Sequence, residues 1–156
     1  VLDIGAAPGS WSMFAADIAR GGSVVAVDLQ EFELPENYKN VKIFRGDAFS
    51  DEIRGQISPL APFDALLSDA APSTSGNKTV DTARSHALAE GCIELAFNLL
   101  KPGGNLVVKI FQGGDEKELI DTLRRSWKTV KPFKPSASRK ESFEIFLVAL
   151  GFAPGG

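Results

Sequence analysis

Short apolar runs alternate with stretches of helical periodicity from one end of the chain to the other, a pattern that restricts the fold to an α/β sheet covered on both faces. Strands are expected over residues 1–4, 23–28, 41–45, 63–68, 105–111, 129–133 and 143–150. Behind the first strand, Trp11, Phe14, Ala15, Ile18 and Ala19 recur at helical spacing, with Ser10 the expected N-cap and Gly21-Gly22 the stop. A short helix is expected over 51–57. A long one follows a Pro/Ser/Gly-rich loop, 70–78, and its Leu88, Cys92, Leu95, Ala96 and Leu99 form one apolar face. That helix must end at Lys101-Pro102-Gly103-Gly104, and another is expected over 116–127. Only a loop separates the last two strands, which makes them antiparallel neighbours in an otherwise parallel sheet.

At 156 residues the chain has the length of one domain, with no internal repeat or linker. It contains neither a window of about 18 uninterrupted apolar residues nor a basic-then-apolar leader, so a soluble protein of the cytoplasm, without a membrane partner, is expected. One cysteine, Cys92, allows no internal disulfide, and with a single histidine, His86, it cannot close a zinc site; no metal is expected. Cys92 falls on the apolar stripe and reads as inert, His86 on the polar side of the same helix and reads as surface. Nothing in the sequence points to an oligomer, and a monomer is expected. The chain begins inside its first strand without an initiator Met, as a trimmed domain would.

Net charge is −3, but its distribution is uneven. Arg124, Arg125, Lys128, Lys131, Lys134, Arg139 and Lys140 lie in a stretch free of acidic residues, so this segment carries +7 and the remainder −10. A solvated helix end explains such a cluster, and so does a face that meets a polyanion such as RNA.

The first strand runs into Asp3-Ile4-Gly5-Ala6-Ala7-Pro8-Gly9-Ser10-Trp11, a glycine-containing turn at the carboxyl end of a strand, where open α/β sheets bind nucleotides. It is not G-x-G-x-x-G, because Ala7 and Pro8 stand between Gly5 and Gly9, which argues against a dinucleotide phosphate cradle. Asp28 ends the second strand, where a carboxylate accepts both ribose hydroxyls. Asp47-Ala48-Phe49 follows the third, offering a second carboxylate and a ring. Either acid alone would be a strand end or a helix cap; together with the turn they point to an adenosine-containing ligand. Trp11 fits the apolar stripe of its helix and serves packing or the ligand equally well. Ser73, Thr74 and Ser75 have no His-Asp pattern to make one of them a nucleophile.

Lys109 interrupts Leu106-Val107-Val108 and Ile110-Phe111, and an ammonium within a buried strand is costly unless paired. Asp69 stands at the end of the fourth strand, and an antiparallel last strand would start, at Glu144, on the same edge of the sheet. These three groups are expected to converge. A structural ion pair is the competing reading.

VLDIGAAPGSW, SDAAPSTSG, LKPGGNLVVKIFQG and ESFEIFLVA, in this order and spacing, resemble the FtsJ (RrmJ) family of ribose 2′-O-methyltransferases over essentially the whole chain. The resemblance implies a Rossmann-like methyltransferase fold with a seven-stranded, mostly parallel sheet and an antiparallel last strand. It implies S-adenosyl-L-methionine as cofactor, bound around Gly5, Ala7, Pro8, Gly9, Trp11, Asp28, Asp47, Ala48 and Asp69, and Asp69, Lys109 and Glu144 as catalytic residues. The family's further catalytic lysine lies upstream of the glycine turn, in a segment expected to be missing here. Large-subunit ribosomal RNA is the implied substrate, with transfer RNA or cap ribose as alternatives. A nicotinamide-dependent oxidoreductase and a non-catalytic RNA-binding or cofactor-sensing domain are the competing functions.

Overall fold

The computed structural model describes residues 1–19, 21–136 and 143–155. Its strands are β1 (Leu2–Ile4), β2 (Val24–Asp28), β3 (Val41–Arg45), β4 (Phe63–Ser68), β5 (Leu100–Phe111), β6 (Trp127–Phe133) and β7 (Glu144–Phe152). The helices are α1 (Ser10–Ile18), α2 (Asp51–Ile57), α3 (Lys78–Leu99) and α4 (Glu116–Arg124), with a 3-10 turn at Ser58–Leu60. All seven strands join one sheet in the order β3-β2-β1-β4-β5-β7-β6. The first five strands run parallel, and β7 is antiparallel to both of its neighbours.

The two faces are unequal. Ile53 and Ile57 of α2, Ala89, Cys92, Leu95 and Ala96 of α3 and Leu119 and Leu123 of α4 join Leu2, Val25, Leu66, Leu106 and Leu147 in the main core. On the other face Ala15 and Ala16 of α1 pack with Val24, Val41 and Leu67. Val107, Phe146 and Val148, on that second face, stay half-buried. Among the described residues, coverage is therefore more extensive on the first face than on the second. Burial pushes the Cys92 thiol up to about 11, which keeps it protonated and inert as expected.

Several local expectations are corrected. Gly9, not Ser10, occupies the N-cap of α1: its φ of 116° lies in the left-handed region, and no side chain caps the helix. The long helix gives way to strand at Leu100. Phe63 pairs with Leu100 but Ala65 with Asn105, so Lys101-Pro102-Gly103-Gly104 bulges out of a continuing ladder, held by the Lys101–Asp64 ion pair. Helix α4 stops at Arg124, because Trp127 is drawn into the sheet by Phe152 and Phe97, with ring centroids 4.7 and 5.4 Å away. His86 is not a surface residue; it is buried, with Nε2 3.0 Å from the Phe111 carbonyl oxygen.

Among the described residues Asp3 is the most fully enclosed acid, with 0% of its surface exposed. Ser12 of α1 donates to its Oδ2 at 2.6 Å, while Oδ1 has no hydrogen-bond partner among the described residues. Desolvation, reinforced by the negative charges of Asp69 and Asp28, raises its pKa to about 6. The folded state then holds a proton that the unfolded chain releases near pH 4, so this group's stability cost grows as pH rises from 4 to 6 and is complete above 6. Asp3→Asn removes that cost. Its stability relative to the parent should increase by about 2 kcal/mol between pH 4 and pH 7, as urea unfolding at the two pH values would measure; an unchanged difference would contradict a raised Asp3.

Candidate active site

Register explains why three ionisable side chains meet. Leu67 of β4 lies opposite Val107 of β5, so Asp69, two residues further, falls level with Lys109. Across the antiparallel ladder Lys109 faces Phe146, and Phe111 faces Glu144. Because β7 runs backwards, its first residue stands where β5 ends. Lys109 Nζ is 3.1 Å from Asp69 Oδ1 and 3.7 Å from Glu144 Oε1. The lysine side chain is only 11% exposed, against 41% and 45% for the two carboxylates. A shielded ammonium thus receives two acids that still reach solvent, which offsets its desolvation and leaves the site open to a ligand.

Beside this cluster a cleft of about 500 Å³ follows the carboxyl ends of β1, β2, β3 and β4. Gly5, Ala7, Asp28, Asp47, Ala48, Phe49 and Asp69 line it, together with Leu29, Ser73 and Leu88. Asp69 belongs to both cleft and cluster. The glycine turn is tied to the second strand tip: Ala7 N–H donates to Asp28 Oδ2 and Gln30 N–H to Oδ1, both at 2.8 Å. Asp47 Oδ1 similarly accepts from Phe49 N–H at 2.9 Å. Both carboxylates are oriented by backbone, and each retains acceptor capacity toward the cleft.

The remaining expected site residues are placed elsewhere. Pro8, Gly9 and Trp11 do not line the cleft. Gly9 lies under Leu34 and Phe32, and Trp11 packs on Phe146 with ring centroids 5.3 Å apart. Leu29 and Leu88 were not anticipated as lining residues; their signal was position, one residue past a strand tip and nearly three turns into the helix after the loop. Ser75 donates to Asp81 Oδ1 through both N–H (2.8 Å) and Oγ–H (2.7 Å), which holds the Asp81 carboxyl below its usual range and folds the loop onto α3. The basic stretch divides. Lys131 and Lys134 flank Phe133, which is level with Phe146 and Lys109, whereas Arg124, Arg125 and Lys128 lie at the opposite end of β6. Arg139 and Lys140 fall outside the described residues.

The sequence profile of the FtsJ-like methyltransferases matches residues 1–152. The chain belongs to that family. Its relatives include the ribosomal RNA large subunit methyltransferase E of Treponema denticola, 46% identical over 97% of this chain and 77% of the relative. The enzyme of the same name from Syntrophobacter fumaroxidans is 45% identical over 96% of this chain and 77% of its own length. Among solved structures, a ribosomal RNA methyltransferase from Plasmodium falciparum superposes with a TM-score of 0.84 at 24% identity, covering 98% of this chain and 86% of the other, and shares the fold. The seven-stranded sheet with its reversed last strand is thus the methyltransferase architecture expected from the sequence, and the chain is a methyltransferase of the FtsJ-like family. No helix among the described residues is long and apolar enough to cross a membrane.

The contact between the glycine turn and the fourth strand tip is tight. A Cβ on Gly5, whose φ is 72°, would stand 2.7 Å from Ala70 Cβ and 2.8 Å from Ala70 Cα, next to Asp69. Gly5→Ala is expected to cost about 2 kcal/mol or more, from left-handed strain plus overpacking. A lowered urea midpoint would show it; a midpoint within error of the parent would contradict the close approach.

Proposed function

We propose that this protein transfers the methyl group of S-adenosylmethionine to a ribose 2′-hydroxyl of large-subunit ribosomal RNA. The observation that carries the reading is the shared position of Asp69, which lines the cleft and also pairs with Lys109. The amine is thereby held beside the end of the cleft, where an acceptor hydroxyl would lie. The substrate class follows from the relatives, which are named for the large-subunit ribosomal RNA.

The cleft suits the cofactor chemically. Three carboxylates, Asp28, Asp47 and Asp69, line it, and no Lys or Arg does among the described residues. Such a cavity repels a pyrophosphate and attracts a sulfonium and an ammonium, which favours this cofactor over a nicotinamide dinucleotide. Asp28 is suited to the ribose hydroxyls, Asp47 to polar groups of the base, Phe49 and Leu88 to its faces, and Asp69 to the amino-acid end. Gly5, Ala7 and Ala48 complete the lining; Pro8, Gly9 and Trp11 shape the turn and the packing behind it. When bound, the cofactor supplies an electrophilic methyl group on a positively charged sulfur.

The chain's own residues do the rest. A protonated hydroxyl is a poor nucleophile and must be oriented and relieved of its proton. Lys109 orients the 2′-oxygen. In its neutral form the amine accepts the hydroxyl proton, and in its charged form it stabilises the negative charge that develops on oxygen. Asp69 and Glu144 aim the amine from opposite sides. Lys131 and Lys134, near the same edge, offer phosphate contacts that position RNA without reading its sequence, with Arg124, Arg125, Lys128, Arg139 and Lys140 extending the basic segment in sequence.

Two variants separate binding from chemistry. Lys109→Ala should lower methyl transfer to large-subunit RNA by at least a hundredfold and leave the Kd for S-adenosylmethionine within about twofold, whereas Asp28→Ala should weaken that Kd at least tenfold. Calorimetry and transfer of labelled methyl measure both. Transfer at the parent rate in Lys109→Ala would overturn the assignment of the amine, and tighter binding of NADH than of S-adenosylmethionine would overturn that of the cofactor.

A further inference from the structure

Strand β5 outlasts its parallel neighbour. Its last ladder partner on β4 is Ser68, opposite Val108, yet it continues to Phe111. On the β7 side Gln112 N–H donates to the Phe143 carbonyl at 2.7 Å. The N–H and C=O of Phe111, one residue earlier, therefore point the other way, to the side where β4 has already ended. Without other partners these two buried groups would be orphaned, at a cost that native structures rarely tolerate.

Two consecutive residues of α3 meet both. Ser85 Oγ accepts from Phe111 N–H at 2.9 Å, and His86 Nε2 lies 3.0 Å from Phe111 O. A carbonyl only accepts, so the imidazole carries its hydrogen on Nε2. Ser85 is 3% exposed and His86 9%. Room for the ring depends on Gly114, where a Cβ would stand 2.9 Å from His86 Cε1 and 2.8 Å from Thr82 Cγ2. Phe111 is also the residue opposite Glu144, and Lys109 lies two positions before it on the same strand. Its backbone is the common anchor of two of the three converging groups.

We infer that Ser85 and His86 are positioning residues: they replace the missing strand partner of Phe111 and so fix the tip of β5 where the Lys109 amine meets Asp69 and Glu144. This rests on the role given to Lys109 above. The pair touches neither the cleft nor the reacting atoms, so its effect passes entirely through the placement of the amine. A residue needed only for packing would affect stability without distinguishing turnover from binding.

The test is steady-state methyl transfer to large-subunit RNA by the full chain, with cofactor Kd measured alongside. His86→Leu keeps bulk but loses the donor, and should lower kcat at least tenfold with RNA KM and cofactor Kd within twofold. His86→Gln places an amide nitrogen near the Nε2 position and should restore kcat to within threefold of the parent. Ser85→Ala removes only the acceptor and should lower kcat with the same selectivity; it carries the test if His86→Leu does not fold. A glutamine variant as slow as the leucine variant, a parallel loss of kcat and cofactor affinity, or a full rate in both His86→Leu and Ser85→Ala would overturn the inference. Lys109→Ala in the same assay separates the two levels: if it turns over normally the reading of the amine fails, and if it is inactive while both tether variants run at full rate only the positioning role fails.

Discussion

An ammonium embedded in a strand of buried aliphatics dictates how this edge of the sheet must be built. Lys109 alternates with Val108 and Ile110, both essentially inaccessible, and its own side chain is only 11% exposed. Left unpaired, it would cost several kcal/mol. A parallel neighbour supplies one acid, Asp69, from beyond the end of β4. The second must come from the other side, and a parallel strand inserted there would bring its carboxyl end to this edge after a crossover. A reversed strand brings its beginning instead, and Glu144 is the first residue of β7. The antiparallel insertion thus completes the charge arrangement as well as the sheet.

The same edge solves a second electrostatic problem. Asp28, Asp47 and Asp69 stand at successive strand tips around one cleft, and backbone donors at Ala7, Gln30 and Phe49 fix the first two in place. Concentrated negative charge of this kind makes sense beside a ligand that brings positive charge of its own. Asp3, buried beneath the same turn, shows the penalty when no such partner is present: its carboxyl is driven up to about 6. Charge in this protein is tolerated where it is answered and suppressed where it is not.

Much of this was legible in the chain itself. Apolar alternation gave the order of strands and helices, and the lack of a helix before Glu144 gave the reversed strand. Lys109, Asp69 and Glu144 stood out because each breaks or ends an apolar run. What escaped were features decided by tertiary contact. His86 sits on the polar side of a helical wheel, but a wheel knows nothing of a strand end with unpaired backbone groups. Trp127 reads as the last turn of a helix until Phe97 and Phe152 claim its ring for the sheet. The segment from Lys101 to Gly104 looks like a stop signal, and it is one for α3, but the ladder with β4 resumes across it as a bulge. Pro8, Gly9 and Trp11 belong to the motif by sequence, but of the turn only Gly5 and Ala7 line the cleft.

The location of the transferred methyl tests the account most directly. After incubation of large-subunit RNA with methyl-labelled S-adenosylmethionine and the protein, alkaline hydrolysis cleaves next to every free 2′-hydroxyl and spares a methylated one. An amine aimed at a ribose oxygen predicts label in alkali-resistant dinucleotides. Label recovered in base-methylated mononucleotides would contradict it.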